Sequence, residues 1–257
     1  MRYKDTWTRG QLQTENKQLI VAIDHGLSFP GMPGLEDPIA LLPRIAQNPL
    51  VDGIIATAGV YRQADMLGID LSHLNRLITL DCVKMEGDRL AEREVVLSPE
   101  EAMAYRPDCY KFFFNMYSDP TELMRNIKDI AKIASEGHRL GVSSLAEIMF
   151  WNCPEAEDPD KRRQLLYEGC RMAFEAGIDT LKIPAIAESE VMNQIIAPFG
   201  LPTFILGGSK YDTPEAYYAA VAEMKKMDIC GLMLGRNVWQ SPDMDATLSG
   251  IHNALNN

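Results

Sequence analysis

Residues 180–185 read Thr-Leu-Lys-Ile-Pro-Ala, a lysine set inside an otherwise apolar run. Side chains alternate along a strand, so Lys182 shares a face with Thr180 while Leu181 and Ile183 share the other. Leu181 and Ile183 ask for a covering helix, which turns Lys182 inward. A charge is normally kept out of such a position. The fold must therefore have a use for an inward lysine, and a closed barrel is the architecture that gives it one.

The rest of the chain supplies the other staves. Apolar runs recur at Leu19–Asp24, Gly53–Gly59, Leu77–Cys82, Cys109–Tyr117, Ser143–Trp151, Pro202–Gly208 and Gly231–Gly235. With Thr180–Ala185 that makes eight, starting at 19, 53, 77, 109, 143, 180, 202 and 231, and several are apolar throughout, as strands covered on both faces should be. Helix signals lie between them. Asp119-Pro120 with Glu122 reads as an N-cap and first turn, with Leu123, Ile127, Ile130 and Ala134 on one stripe. Asp158-Pro159 opens a helix that should end at Gly177, and Thr213-Pro214 opens another. Phe29–Pro38 reads as a long loop after the first strand, and the helices of the second and third units are not placed.

Eight alternations without a composition break predict an α/β fold, a (β/α)₈ TIM barrel, as a single domain over residues 1–257. A doubly wound open sheet is the alternative.

Composition narrows the function. The 257 residues are 46% hydrophobic and carry a net charge of −11, which disfavours nucleic acid and anionic membranes as partners. No apolar run is long enough to span a bilayer, and the polar start MRYKDTWTRGQLQTENK is unlike a signal peptide, so a cytoplasmic protein is expected. The five cysteines and four histidines form no zinc-type spacing, so no metal site and no cofactor are expected. GxxxxGK[ST] and GxGxxG are missing too.

In a barrel of this kind chemistry sits where strands run into βα loops. Lys182 there can become a nucleophilic amine if desolvation or a neighbouring cation weakens its hold on a proton, although a structural ion pair would also explain it. Lys111, with Phe113 and Asn115 on its face, could be that cation, a hydroxyl donor, or a lysine snorkelling to solvent. Glu147 shares a face with Met149 and Trp151 and could move protons for Lys182, or simply pair with a lysine. Asp24 ends the first strand and could orient a hydroxyl. His25 beside it is a base or a hydrogen-bonded spectator. Gly207-Gly208-Ser209 after the seventh strand and Gly235-Arg236 after the eighth fall where this fold commonly holds phosphate: glycines admit backbone N–H groups, Ser209 adds a hydroxyl and Arg236 a fork of donors.

Together these residues resemble the class I, Schiff-base aldolase superfamily along most of the chain. Ile23-Asp24-His25-Gly26 and the Gly31–Asp37 stretch are similar to the first strand and loop of archaeal-type fructose-bisphosphate aldolases. Lys182 in LKIP sits where that group places its Schiff-base lysine, and GGSK and GRNVWQ resemble its phosphate loops. In one position the chain departs: the archaeal-type general acid/base, a tyrosine of the fifth strand, has Met149 as its match in LAEIMFWNCP. Glu147 instead resembles the fifth-strand glutamate of tagatose-bisphosphate and sulfofructose-phosphate aldolases, and DCYKFFFNMYSD their lysine segment.

The resemblance implies a metal-free aldehyde-lyase acting on a ketose phosphate or related small sugar phosphate, working as a homo-oligomer. Lys182 would be its nucleophile, Glu147 would move protons, Lys111 and Asp24 would position hydroxyls, and His25 with the glycine loops would hold the anion, whether phosphate or a sulfonate analogue. A transaldolase-like or acyl-transferring enzyme using the same lysine and a non-catalytic phosphometabolite-binding protein are the rival readings.

Overall fold

Each of the eight apolar runs supplies a strand to one closed parallel barrel in a computed structural model that describes residues 16–117, 119–208 and 210–257. Residues 1–15 of the polar N-terminal start, and Ser209, lie outside the described residues. The staves are β1 (Gln18–Ala22), β2 (Gly53–Ala56), β3 (Asn75–Thr79), β6 (Cys109–Asn115), β7 (Ser143–Met149), β8 (Thr180–Ile183), β9 (Thr203–Leu206) and β10 (Gly231–Leu234). They pair in that order, and β10 closes on β1.

Two apolar layers follow from the alternation. Leu181 and Ile183 join the outer cluster between strands and helices, as expected, with Val21, Ile54, Phe112 and Ile148. A smaller inner cluster, including Ile20, Leu77, Leu145, Phe204 and Met233, plugs the barrel beneath its C-terminal mouth. Such a plug makes the barrel a packed core with a floor rather than a pore.

The helix starts read from sequence are built as their chemistry requires. Asp119 caps α4 (Pro120–Leu140) by accepting from the backbone N–H of Thr121 and Glu122, Asp158 caps α5 (Pro159–Glu175) in the same way, and Thr213 caps α7 (Pro214–Met224). Around them lie α1 (Pro38–Gln47), α2 (Ala58–Met66), α3 (Pro99–Ala102), α6 (Ser189–Ile196), α8 (Arg236–Trp239) and α9 (Met244–Asn256). No disulfide links the five cysteines.

The third unit differs from the expectation. The run Leu77–Cys82 is not one strand: β3 ends at Thr79, and Asp81 begins an antiparallel hairpin of β4 (Asp81–Glu86) and β5 (Arg89–Val95), followed by the four-residue α3 and a 3₁₀ turn at Met103–Tyr105. Glu86 pairs with Arg89 across a Gly87-Asp88 turn, with Gly87 at φ 62°, the left-handed backbone that a tight hairpin turn demands. Arg93 ties the hairpin down, its Nε donating to Asp81 Oδ2 at 2.7 Å and its Nη1 to Asp129 Oδ2 on α4 at 2.9 Å. The Asn152 side chain, in the loop after β7, accepts from Leu90 N–H and donates to Leu90 C=O. These bonds lay the hairpin against the mouth of the barrel.

Candidate active site

Strand register puts the charged residues in layers. Glu147 on β7 is directly opposite Lys182 on β8, and their side chains meet, Oε1 to Nζ, at 2.8 Å. Lys111 pairs in register with Leu145 on one side and Thr79 on the other, one inward-facing layer below Glu147. Its ammonium rises to Glu147 Oε2 at 3.0 Å and Asp24 Oδ2 at 3.1 Å. Thr79 completes the line by donating its hydroxyl to Asp24 Oδ2 at 2.6 Å. Thr79, Asp24, Lys111, Glu147 and Lys182 thus form one unbroken polar chain across the mouth, in which every charge has an opposite partner, as burial requires.

Electrostatics follow from that pairing. Burial works against the charge of Lys111, but Asp24, Glu147 and Asp81 outweigh it and hold its pKa above the usual lysine range. Burial likewise opposes the Asp24 carboxylate, yet Lys111, His25, Lys182 and the Thr79 hydrogen bond keep it far below the ordinary value. Glu147 is buried as well, and Lys111 and Lys182 draw its pKa down. Lys111 is therefore a fixed cation that keeps Glu147 ionised.

Asp24 is not the last residue of β1. The strand stops at Ala22, and Asp24 opens a short 3₁₀ turn that swings it and His25 over the mouth. His25 packs edge-on against Trp239, ring centroids 5.5 Å apart, and burial lowers its pKa, with Lys182 and Lys111 adding to the effect against Asp24 and Glu147. A Cβ on Gly235 would stand 3.1 Å from His25 Cε1, so glycine leaves that ring its room.

An open cavity of about 580 Å³ joins these groups. Its walls include Asp24, His25, Lys111, Glu147, Lys182, Gly207, Gly208, Gly235 and Arg236, nine of the ten residues singled out from sequence; Ser209 lies outside the described residues. The two glycine loops are joined: Arg236 Nη2 donates to Gly208 C=O at 3.1 Å, and Asn237 Nδ2 to Gly207 C=O at 2.9 Å. Met149 ends β7 and is among the residues lining the cavity.

Other lining residues were not foreseen. Ser28, Phe29 and Met32 come from the loop after β1, and Met85, Gly87 and Asp88 from the hairpin. The Gly-Asp turn between segments of alternating exposure was the signal available for the hairpin. Thr79 carried no signal, since a threonine ending an apolar strand has many uses. Among the described residues no group of three or more His, Cys, Asp or Glu could hold a metal ion, and no helix is long and apolar enough to cross a membrane.

Barrel, cavity and lysine–carboxylate chain together define a lysine-centred barrel enzyme. The sequence over residues 18–241 matches the DeoC/LacD family of aldolases, and the chain belongs to that family. An uncharacterized aldolase of Saccharolobus solfataricus is 23% identical over 256 residues, covering 95% of this chain and 92% of the relative. The 2-amino-4,5-dihydroxy-6-oxo-7-(phosphonooxy)heptanoate synthase of Streptomyces griseus is 24% identical over 242 residues, covering 94% and 86%. Among solved structures, an archaeal fructose-1,6-bisphosphate aldolase with its catalytic lysine covalently bound to the carbinolamine intermediate superposes with a TM-score of 0.79 at 19% identity, over 95% of each chain. At that identity the likeness is one of fold.

Proposed function

We propose that this protein is a metal-independent class I aldolase that makes or breaks a C–C bond of a ketose phosphate through an imine on Lys182. The observation carrying this reading is the 2.8 Å contact between Lys182 Nζ and Glu147 inside the cavity, in a chain of an aldolase family.

In this reading the Lys182 ammonium first gives a proton to Glu147, the freed amine adds its lone pair to the substrate ketone, and the carbonyl oxygen that receives the π pair takes that proton from Glu147 to become the carbinolamine hydroxyl. Glu147 then takes a second proton, from the carbinolamine nitrogen, and delivers it to the hydroxyl, which leaves as water, and the protonated imine forms beside the carboxylate. For cleavage, Glu147 takes the proton of the hydroxyl on the carbon β to the imine carbon. That oxygen becomes the carbonyl of the departing aldehyde, the bond between the α and β carbons breaks, and its electron pair enters the imine to give an enamine. Protonation of the enamine and hydrolysis free the ketone and Lys182. Met149 has no transferable proton, which leaves Glu147 as the group within reach of Lys182.

Lys111, held cationic, keeps Glu147 ionised between turnovers, and with Asp24 it positions substrate hydroxyls. Gly207, Gly208, Ser209, Gly235 and Arg236, with His25 beside them, hold the phosphate of the ketone half.

Borohydride trapping with dihydroxyacetone phosphate, read by intact mass and peptide mapping, tests the proposal. A stable adduct on Lys182 is the expected result. An adduct on Lys111 would reassign the nucleophile, and no adduct would overturn the imine.

A further inference from the structure

The cavity has two unlike ends. In the ring order β1, β2, β3, β6, β7, β8, β9, β10, the β9/β10 edge lies across the barrel from the β3/β6 edge. Arg236 and the glycine loops follow β9 and β10, so the cationic end is there. The opposite end is made by Phe113 on β6, Met149 and Trp151 at the end of β7, and the hairpin that follows β3.

That far wall is apolar. Phe113 and Trp151 meet edge to face with centroids 5.3 Å apart, and Met85, Met149 and Phe29 pack in the same cluster. Asp88, exposed at the hairpin tip, adds a carboxylate to the rim. Among the described residues lining the cavity the cations are Lys111, Lys182 and Arg236. Lys182 is in the reacting layer. Lys111 lies 3.4 Å from the centroid of the Phe113 ring, 1% exposed, and its charge is already matched by the carboxylates of Asp24 and Glu147. A phosphate at the far end would exchange water for hydrocarbon and a neighbouring carboxylate, and both are unfavourable to it.

We infer that the aldehyde half of the substrate carries no phosphate: the protein acts on a ketose monophosphate whose single anion sits at Arg236, and whose other half lies against the Phe113–Trp151 wall. The inference rests on the aldolase reading above and narrows its substrate class. Aromatic faces suit the C–H surface of a short uncharged aldehyde, while Asp88 repels an anionic one.

The experiment uses the whole protein, dihydroxyacetone phosphate as donor, and the achiral acceptor pair glycolaldehyde and glycolaldehyde phosphate, with product quantified by NMR. The expected kcat/KM favours glycolaldehyde by about tenfold or more, and Asp88→Lys should narrow that ratio by about threefold or more. Equal or greater use of glycolaldehyde phosphate, or no use of glycolaldehyde, would overturn the inference. An unmoved ratio in Asp88→Lys would overturn the part given to Asp88. Borohydride trapping with the donor alone separates this from the parent reading. A Lys182 adduct together with preference for the phosphorylated acceptor sinks the substrate inference only, and no adduct sinks both.

Discussion

Lys182 and Glu147 face each other in register on neighbouring strands, with Nζ and Oε1 2.8 Å apart, and the second oxygen of the same carboxylate lies 3.0 Å from Lys111. One carboxylate thus serves two ammonium groups. They differ in depth: Lys111 sits a layer lower and is also held by Asp24, whereas Lys182 reaches the open cavity and pairs with Glu147. That asymmetry gives the two lysines different jobs.

Lys182→Met keeps the stem and removes the amine. Turnover should fall by on the order of 10⁴-fold or more, as it does when a covalent nucleophile is removed. The borohydride adduct should vanish while the circular dichroism spectrum stays that of the wild type. Turnover within tenfold of wild type would show that another group forms the bond.

Glu147→Gln keeps the shape and removes the charge between two cations. Loss of positioned proton transfer should lower kcat by about 10²–10⁴-fold. Stability should respond in a pH-dependent way. Against burial, Lys111 and Lys182 hold the folded pKa of Glu147 below the ordinary glutamate value of 4.5, so its ionisation stabilises the fold above that pH, and the contribution is lost as pH falls through the lowered value. Urea midpoints should therefore separate wild type from Glu147→Gln at neutral pH and converge once the pH has fallen below that lowered value. Parallel curves at both values would place the charge effect elsewhere.

The eight staves were legible because each is covered on both faces, so a buried parallel strand prints itself as a nearly unbroken apolar run. Inward charges stand out against that background, which is why Lys182, Glu147 and Lys111 could be read before their partners were known. The hairpin could not be read so easily. Its exposed face carries Lys84, Glu86, Glu92 and Glu94, and its buried face offers little more than Val83 and Leu90. Its placement also depends on Arg93 reaching Asp129, 36 positions away, and on Asn152 reaching Leu90, 62 away. Pairings at that range leave no local periodicity. The end of β1 is masked in the sequence for a related reason: Ile23 and Asp24 continue the run, yet the strand ends at Ala22 and a 3₁₀ turn opens at Asp24.

Arg93 is the clamp of the hairpin, its side chain 5% exposed and its partner Asp81 fully buried. Burial raises the Asp81 pKa against the pull of Arg93 and Lys111, so Asp81 relies on these cations to stay charged. Arg93→Met should cost about 3–5 kcal/mol, the range for breaking a buried pair from one side. Hydrogen exchange should speed up first in 81–95. A loss under 1 kcal/mol in chemical denaturation would mean that the Asn152–Leu90 bonds suffice.

His25 gives a test by NMR. Burial, with Lys182 and Lys111, lowers its pKa from the ordinary histidine value of 6.5 despite Asp24 and Glu147. The imidazole should be neutral at neutral pH and titrate below 6.5. With a depressed folded pKa the unfolded chain takes up the proton first, so this site costs stability as pH falls from 6.5 toward the folded value. A midpoint at or above 6.5 would mean that the nearby Asp24, 3.7 Å away, governs the ring instead.

Arg236 should act on binding far more than on chemistry. Its guanidinium is anchored on Gly208 C=O yet remains part of the cavity wall, which leaves donors for a phosphate. A hydrogen bond to a charged group contributes about 1.5–3 kcal/mol, so Arg236→Ala should raise KM for a phosphorylated ketone by roughly 10–150-fold. If the residue binds phosphate alone, kcat should change little and the KM for unphosphorylated dihydroxyacetone should stay where it was. Steady-state kinetics with the two ketones, read side by side, make the comparison. An equal loss with both would show that Arg236 supports the shape of the mouth through Gly208, and the anion site would then have to be sought in the backbone of the loops.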